Sequence, residues 1–259
     1  MNNKITVTIT GSGTSQGVPV IGCNCEVCCS TNKKDKRLRT SIHLNYKGKS
    51  IVVDTGPDFR QQMINLQISH LDAVLFTHEH KDHVAGLDDV RAFNFIQKKA
   101  IDIYCCDRVF TALKREFHYI FDPQFQYPGI PNIKRHRISK ENSFKIDDIT
   151  IEPIEVMHYK LPVLGFKIDK FAYITDAKTI KEKEKSKIKN LDLLIINALR
   201  IKNHISHLNL EEAILLINEL KPKKAILTHI SHLMGKHEDV EKLLPKNVKI
   251  AYDGLKINV

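Results

Sequence analysis

The most chemically specific feature of this chain is a run of six residues, 78–83, that holds three histidines and one aspartate. The four side chains are those of His78, His80, Asp82 and His83. Imidazole suits zinc, manganese or iron, and a carboxylate adds negative charge for a second cation. The run follows Leu71–Phe76, an apolar stretch that predicts a buried strand with the ligands at its rigid end. The pattern predicts a metal-dependent hydrolase rather than a plain polar loop.

Three further ligand-type residues stand at the ends of other apolar stretches that predict strands. They are His158, Asp176 and His229. Each alone is more typical of a structural residue than of a metal ligand. Because all three follow strands, as the histidine run does, we expect them to share a pocket with it.

A second group of candidate ligands lies near the start of the chain, where residues 23–29 contain four cysteines. No export signal precedes the first predicted strand, so the chain is expected to be cytoplasmic, where clustered thiols bind metal more often than they form disulfides. A reduced, metal-free loop is the alternative. Tetrahedral zinc with three thiolates needs a fourth ligand, and His232 is a candidate. Cys105 and Cys106 are expected to be buried packing residues.

Composition limits the partners without identifying one. The 259 residues carry a formal net charge of +10, which favours an anionic partner such as nucleic acid or a phosphate ester. The densest basic stretch, 181–189, also contains glutamates, so nucleic acid is possible but less favoured. No apolar segment approaches the ~18 residues of a membrane span. A homodimer is possible.

The order of predicted elements indicates the fold class. Strands are predicted at 5–9, 40–45, 50–53, 71–76, 101–104, 143–146, 149–156, 164–168, 171–175, 191–197 and 224–228. Helices are predicted at 87–98, 107–119, 208–220 and 238–244, with another that ends at Leu66. Strand pairs interrupted by helices in both halves predict an α/β protein with two sheets faced by helices, a four-layer αββα sandwich. No linker divides the chain, so 1–259 is expected to be a single domain.

The ligand pattern H-x-H-x-D-H, followed by a distant His, Asp and His, resembles that of the metallo-β-lactamase fold superfamily. The resemblance covers nearly the whole chain and implies two divalent metals, zinc or manganese. One metal would be held by His78, His80 and His158. The other would be held by Asp82, His83 and His229, with Asp176 and a hydroxide as bridges. Asp54 matches the early aspartate that supports the histidine loop without binding the metal itself.

Within that superfamily, the cysteines and His232 resemble the phosphoribosyl 1,2-cyclic phosphodiesterase group of phosphonate breakdown. The resemblance implies one structural zinc ion held by Cys23, Cys25, Cys28 and His232, and gives Cys29 no role. The segments 13–19, 37–41 and 86–91 look like the same group.

The resemblance also implies candidates for proton transfer and phosphate binding. His207, just before a predicted helix, matches a histidine proposed to act on the phosphate or the leaving group; His204 is the alternative, and a helix-capping role for His207 is another. Asp82 would share proton transfer with its metal role. Arg39 and Arg91 would bind phosphate, or else form structural ion pairs.

The expected function is hydrolysis of a small cyclic phosphodiester such as ribose 1,2-cyclic phosphate. A related hypothesis is that the protein resembles the transfer-RNA 3′-processing endonuclease. Only seventeen residues separate His158 from Asp176, however, which leaves no room for that branch's RNA-binding arm. A non-catalytic metal-binding protein is the third hypothesis. Degenerate ligands would mark it, and none of the pattern's ligands is missing.

Overall fold

The computed structural model describes residues 4–125 and 127–259, and its strands form two sheets. The first half of the chain contributes β1 (Thr6–Gly11), β2 (Ser41–Tyr46), β3 (Lys49–Val53), β4 (Ala73–Leu75), β5 (Ile101–Cys105) and β6 (Ile133–Arg137). The second half contributes β7 (Phe144–Ile146), β8 (Ile149–His158), β9 (Leu161–Ile168), β10 (Phe171–Ile174), β11 (Thr179–Ile180), β12 (Leu193–Asn197), β13 (Lys224–Thr228) and β14 (Val248–Ile250). A last strand, β15 (Lys256–Asn258), returns to pair with β1.

Strand order places the two halves in separate sheets. The first sheet runs β15-β1-β2-β3-β4-β5-β6, and the second runs β11-β8-β9-β10-β12-β13-β14, with β7 paired to β8. Neighbours from β3 to β6 are parallel, as are β10, β12, β13 and β14. The carboxyl ends of these parallel strands therefore lie together at one edge of each sheet.

Eight α-helices cover the outer faces of the sheets within the described residues. They are α1 (Phe59–Asn65), α2 (Lys81–Val84), α3 (Arg91–Gln97), α4 (Asp107–Glu116), α5 (His118–Phe121), α6 (Glu182–Lys187), α7 (Leu210–Leu220) and α8 (His237–Leu243). Short 3₁₀ turns lie at Lys33–Asp35, Leu87–Val90, Pro123–Phe125 and His232–Met234.

Alternation along the strands explains the four layers. In β3, Ile51 and Val53 pack into the core between the sheets, whereas Val52 packs among the helices outside. In β12, Ile195 faces the inner core and Ile196 faces the layer that contains α7. Both faces are buried, so these strands are apolar throughout rather than alternately polar. The predicted αββα sandwich is confirmed.

Several predicted boundaries differ from the structure. The predicted helix 107–119 is broken at Phe117 (φ −123°, ψ 46°), which separates α4 from α5. The predicted helix 208–220 begins only at Leu210, because Asn209 caps it and forms a capping box with Glu212. The predicted helix 87–98 is a 3₁₀ turn followed by α3. None of the described helices has the length and apolarity needed to cross a membrane.

Candidate metal centres

Left-handed backbone positions turn three of the key side chains inward just after their strands end. Asp54 follows β3, Asp176 lies two residues after β10, and His229 follows β13 directly. Their φ angles are 65°, 57° and 59°. Asp and His tolerate this region better than most residues with a Cβ. The sheet edges therefore deliver these groups to one place.

Asp82, His83, Asp176 and His229 form the most tightly packed part of the site. The Nε2 atom of His83 lies 3.2 Å from Oδ2 of Asp82 and 3.2 Å from Oδ2 of Asp176. The Nε2 atom of His229 lies 3.2 Å from Oδ1 of Asp176 and 3.7 Å from Oδ2 of Asp82. All four side chains are buried.

The second set of predicted ligands lies beside the first. The ring centroids of His78 and His80 are 4.6 Å apart, and those of His80 and His158 are 5.2 Å apart. The ring of His78 is also 4.2 Å from that of His83. His78 is buried, while His80 is exposed to solvent. The structure thus brings all seven predicted ligands into one cluster.

Hydrogen bonds fix which ring nitrogen faces the cluster in His78, His83 and His158. His83 donates from Nδ1 to Oδ2 of Asp54 at 2.7 Å, so its Nε2 atom faces the cluster. The hydroxyl of Thr77 donates to the same carboxylate at 2.8 Å and accepts from Nδ1 of His78 at 3.0 Å. His158 donates from Nδ1 to the carbonyl oxygen of Ser206 at 2.9 Å. Such partners orient imidazoles for metal binding.

The unpaired atoms of the cluster fit a divalent cation. Within the described residues, Nε2 of His78, His83 and His229 is buried and makes no hydrogen bond. A buried nitrogen without a partner costs free energy, and a coordinated metal would remove that cost. Zinc at tetrahedral angles spaces nitrogen and oxygen ligands by about 3.4 Å, close to the distances found here. The donor set therefore suits metal.

The charges in the cluster shift the pKa values of its members in opposite directions. Burial raises the pKa of Asp82, but the imidazoles of His83 and His229 lower it by a larger amount. The net shift of the Asp82 pKa is therefore downward. Burial lowers the pKa of His83, yet the carboxylates of Asp82, Asp176 and Asp54 raise it well above its usual value. A cation bound between these groups would displace the His83 proton, so metal binding should release protons.

The predicted structural zinc ligands also come together. Nδ1 of His232 lies 3.3, 3.4 and 3.5 Å from Sγ of Cys23, Cys25 and Cys28. Tetrahedral zinc with ordinary Zn–S and Zn–N bonds spaces these atoms by about 3.6 Å. Cys29 is exposed and stands outside the cluster.

The pKa values of the Cys25 and Cys28 thiols are shifted in opposite directions by their surroundings. Hydrogen bonds from the Cys28 amide and with His232 lower the pKa of Cys25 to about 6. Burial raises the pKa of Cys28 to about 11, so its thiolate needs a cation nearby. Zinc would supply that charge. Cys105 is buried and its pKa is raised to about 12 by burial, as expected of a packing residue.

His207 lies against the metal-type cluster. Its ring centroid is 4.4 Å from that of His158 and 4.8 Å from that of His229, and its Nδ1 lies 3.8 Å from Oδ1 of Asp176. Burial and the neighbouring His229 lower its pKa to about 2, so the imidazole is neutral at pH 7. The ring of His204 is 5.2 Å from that of His207. Their catalytic roles stay predictions.

The two arginines predicted to bind phosphate are both paired with carboxylates. Arg39 donates from Nη1 to Oδ1 of Asp58 at 2.9 Å. The Nη2 atom of Arg91 lies 3.3 Å from Oδ2 of Asp88, and Arg91 lines a groove between α1 and α3. The ion-pair alternative is thus the one that the geometry favours for both.

Sequence reasoning missed some residues that support the site. The Thr77 hydroxyl links Asp54 to His78, and only its position beside the first histidine could have indicated this. Ser206 acts through its backbone oxygen, which leaves no signal in the sequence. Arg108 donates to Glu79 inside the histidine run and to the carbonyl oxygen of Pro162, which connects α4 to the loop.

Replacement of Asp54 by Asn should weaken metal binding about 10- to 100-fold. An amide cannot accept all three hydrogen bonds that the carboxylate receives from the Thr77 amide, the Thr77 hydroxyl and His83. Competition with a chelator measures the affinity. Asp102→Asn, on β5 and paired with His136, is the control. Equal affinities for the two variants would contradict this role.

Replacement of Gly56 by Ala should destabilise the fold by about 1–3 kcal/mol and lower metal content. A Cβ at this position would lie 2.2 Å from the carbonyl oxygen of Asp82. Thermal unfolding and metal analysis are the measurements. The control is Gly48→Ala, where φ is +76° and no atom lies within 4 Å of the new Cβ. That variant should lose stability through the backbone alone and keep its metal.

Replacement of Cys28 by Ser should remove one zinc per chain and lower Tm by about 5 °C or more, since 1 kcal/mol corresponds to about 2–4 °C for a chain of this size. The adjacent Cys29→Ser variant should change neither quantity, because that thiol is exposed and outside the cluster. Elemental analysis and calorimetry test both. Zinc loss from the Cys29 variant would refute the assignment.

Comparisons with known proteins agree with the geometry. A family profile described as "Beta-lactamase superfamily domain" matches residues 49–230. A crystal structure described as a new diphosphatase from the PhnP family is 36% identical, covers 99% of this chain and 97% of its own, and superposes with a TM-score of 0.92. Zinc-bound PqqB from Methylobacterium extorquens is 19% identical over 98% of this chain and 100% of its own, with a TM-score of 0.81, which shows the shared fold.

A curated relative from Porphyromonas gingivalis, named octanoyltransferase, is 42% identical over 95% of this chain. The chain spans only 50% of that relative's length. The family expected from the sequence is confirmed by the profile and the PhnP-family structure. This chain belongs to the β-lactamase superfamily and, within it, to the PhnP family of metal-dependent hydrolases.

Proposed function

We propose that the protein is a dinuclear metal-dependent phosphodiesterase that acts on a small phosphate diester, such as a cyclic ribose phosphate. The observation that supports this most strongly is the position of Asp176. Its two carboxylate oxygens face different imidazoles, Oδ1 towards His229 and Oδ2 towards His83. The same carboxylate also groups with His78 and with His158, so it adjoins both predicted ligand sets.

The two ligand sets differ in the carboxylate that each contains. His78, His80 and His158 offer only imidazoles, while Asp82 adds a carboxylate to His83 and His229. Zinc or manganese ions bound there would lower the pKa of a water molecule and neutralise charge on the phosphoryl oxygens. Asp54, Thr77 and the Ser206 carbonyl hold the imidazoles in the required tautomers.

Proton transfer to the leaving oxygen is the remaining task, and two side chains lie close enough to contribute. Asp82 has its Oδ2 atom 3.2 Å from His83 Nε2 and 3.7 Å from His229 Nε2, and it is the proposed acceptor of a proton from the attacking water. His207 is neutral and packs against His158 and His229, where an anionic phosphoryl group would favour its protonated form. The pair could therefore serve as base and acid.

The substrate is expected to be small. Between His158 and Asp176 the chain forms only β9, β10 and tight turns, so the described structure has no arm there to grip RNA. The net charge of +10 suits an anionic substrate. A PhnP-family relative described as a diphosphatase adds a second bond type, the phosphoanhydride, to those worth testing. Nucleic acid is the less favoured substrate, and a homodimer stays a prediction.

Two other functions are supported less well. A non-catalytic metal-binding role would use the ligand positions but would give no role to His207, which packs against His158 and His229. Octanoyl transfer is named for a relative of which this chain spans half, and no cysteine nucleophile lies within the described His/Asp cluster. The geometry therefore favours phosphoester hydrolysis.

Metal content and hydrolysis measured together would test the proposal. The substrates are bis(p-nitrophenyl) phosphate, a ribose 1,2-cyclic phosphate, a diphosphate ester and a precursor transfer RNA. Asp176→Asn should lose bound metal and lower kcat at least about 100-fold, because it breaks the link between the ligand sets. Asp102→Asn is the surface control. A fully metallated wild-type protein inert to all the small esters would refute the proposal, and cleavage of the RNA alone would favour the endonuclease.

A further inference from the structure

The turn after β14 carries a carboxylate to which none of the functions above gives a role. β14 is parallel to β13, so Asp253 lies at the same sheet edge as His229. Its Oδ1 atom accepts from the amide N–H and the hydroxyl of Ser12 at 2.8 and 2.7 Å, and its Oδ2 atom accepts from the Leu38 amide at 2.7 Å. One side chain thus joins two loops that are far from it in the sequence.

Ser12 connects this carboxylate to the segment that carries His229. The carbonyl oxygen of Ser12 accepts from the Ile230 amide at 2.9 Å, and the Thr14 amide donates to the Ile230 carbonyl oxygen at 3.0 Å. Ser12 and Ile230 are both buried. The peptide groups on both sides of Ile230, directly after His229, are therefore held by the N-terminal loop.

His229 needs this support more than the other ligand-type histidines do. His78, His83 and His158 each have a hydrogen-bond partner at Nδ1. Nδ1 of His229 is buried and has no such partner among residues 4–125 and 127–259. Metal-binding imidazoles are usually oriented by a partner at the other ring nitrogen. Without one, the direction of this ring depends on packing and on its backbone, whose φ is 59°.

A buried arginine completes the group around Asp253. Arg37 donates from Nη1 to the Ser12 hydroxyl at 3.0 Å and to the Ala251 carbonyl oxygen. Burial raises the pKa of Asp253 to about 6, although the hydrogen bonds from Leu38 and Ser12 and the charge of Arg37 act in the opposite direction. At neutral pH the carboxylate is therefore charged at a cost in desolvation, and an uncharged side chain would suffice if only packing were needed here.

We propose that Asp253 is a positioning residue for His229. By fixing Ser12 it holds the Ile230 backbone, and through that backbone it sets the direction of an imidazole that has no hydrogen bond at Nδ1. The inference rests on the metal centre of the proposed function, and it adds a residue that acts on this centre from outside the ligand set.

Asp253→Asn is the variant that tests the assignment. One amide oxygen cannot accept from both Ser12 and Leu38, so the affinity of the His/Asp cluster for zinc should fall about tenfold or more. Chelator competition measures the affinity. Elemental analysis should still find the thiol-bound zinc, because the Ser231 amide anchors that end of the segment by donating to the Leu199 carbonyl oxygen at 2.9 Å. At saturating zinc, kcat should recover while KM stays unchanged.

Asp72→Asn is the matched control. The Asp72 carboxylate also accepts from a backbone amide, that of Ser50 at 2.9 Å, but it precedes β4 and lies at the opposite sheet edge. The affinity of this variant for zinc should equal that of the wild-type protein. Ser12→Ala, which removes one of the three hydrogen bonds to Asp253, is a milder variant and should lower the affinity about threefold.

Metal binding separates this inference from the proposed function. If the wild-type protein binds zinc but hydrolyses none of the phosphate esters, the proposed function fails and the affinity of Asp253→Asn still decides the inference. Unchanged affinity in Asp253→Asn and Ser12→Ala, an equal loss in Asp72→Asn, or a wild-type His/Asp cluster that binds no zinc would overturn it.

Discussion

The hydrogen bonds that Asp54 accepts are the interaction on which the rest of the site depends. This carboxylate is fully buried, and burial raises its pKa, which opposes the charged form. The Thr77 amide, the Thr77 hydroxyl and His83 Nδ1 offset that cost at 2.8, 2.8 and 2.7 Å. Through these contacts one anion sets the tautomer of His83 directly and of His78 through Thr77. Parallel pairing of β3 with β4 places Asp54 beside the histidine run.

The two candidate metal centres use different ligand types, but they are joined through the backbone of residues 229–232. His229 belongs to the His/Asp cluster and His232 to the thiol cluster. Between them, Ile230 donates to the Ser12 carbonyl and accepts from the Thr14 amide, which ties this segment to the N-terminal loop. Thiolates select zinc, whereas the imidazole and carboxylate set also accepts manganese. A zinc ion on the thiols would therefore restrain the segment that carries His229 without competing for its metal.

The sequence predicted which side chains lie together better than it predicted the boundaries of the elements. Metal-type residues at strand ends are a strong local signal, and the predicted ligands from His78 to His229 lie in one cluster, His80 through its ring contacts with His78 and His158. The break at Phe117 and the start of α7 at Leu210 depend on caps and local packing, which periodicity does not reveal. The sequence also could not decide between the two roles of Arg39, because its partner Asp58 is nineteen residues away and meets it only in the folded sheet edge.

Strained backbone at the site is offset by the core that surrounds it. Asp54, Tyr159, Asp176 and His229 all have positive φ, and each costs free energy that an extended residue would not. The strands that lead into Asp54, Asp176 and His229 are β3, β10 and β13, and they are buried on both faces, as Ile51, Val52 and Val53 illustrate. Burial of both faces roughly doubles the apolar area that each strand removes from water, and so increases the stabilisation available per residue. A sandwich with two covered sheets can therefore keep the turns at Asp54, Asp176 and His229 in costly conformations, where a sheet with one exposed face would have less stabilisation to offset them.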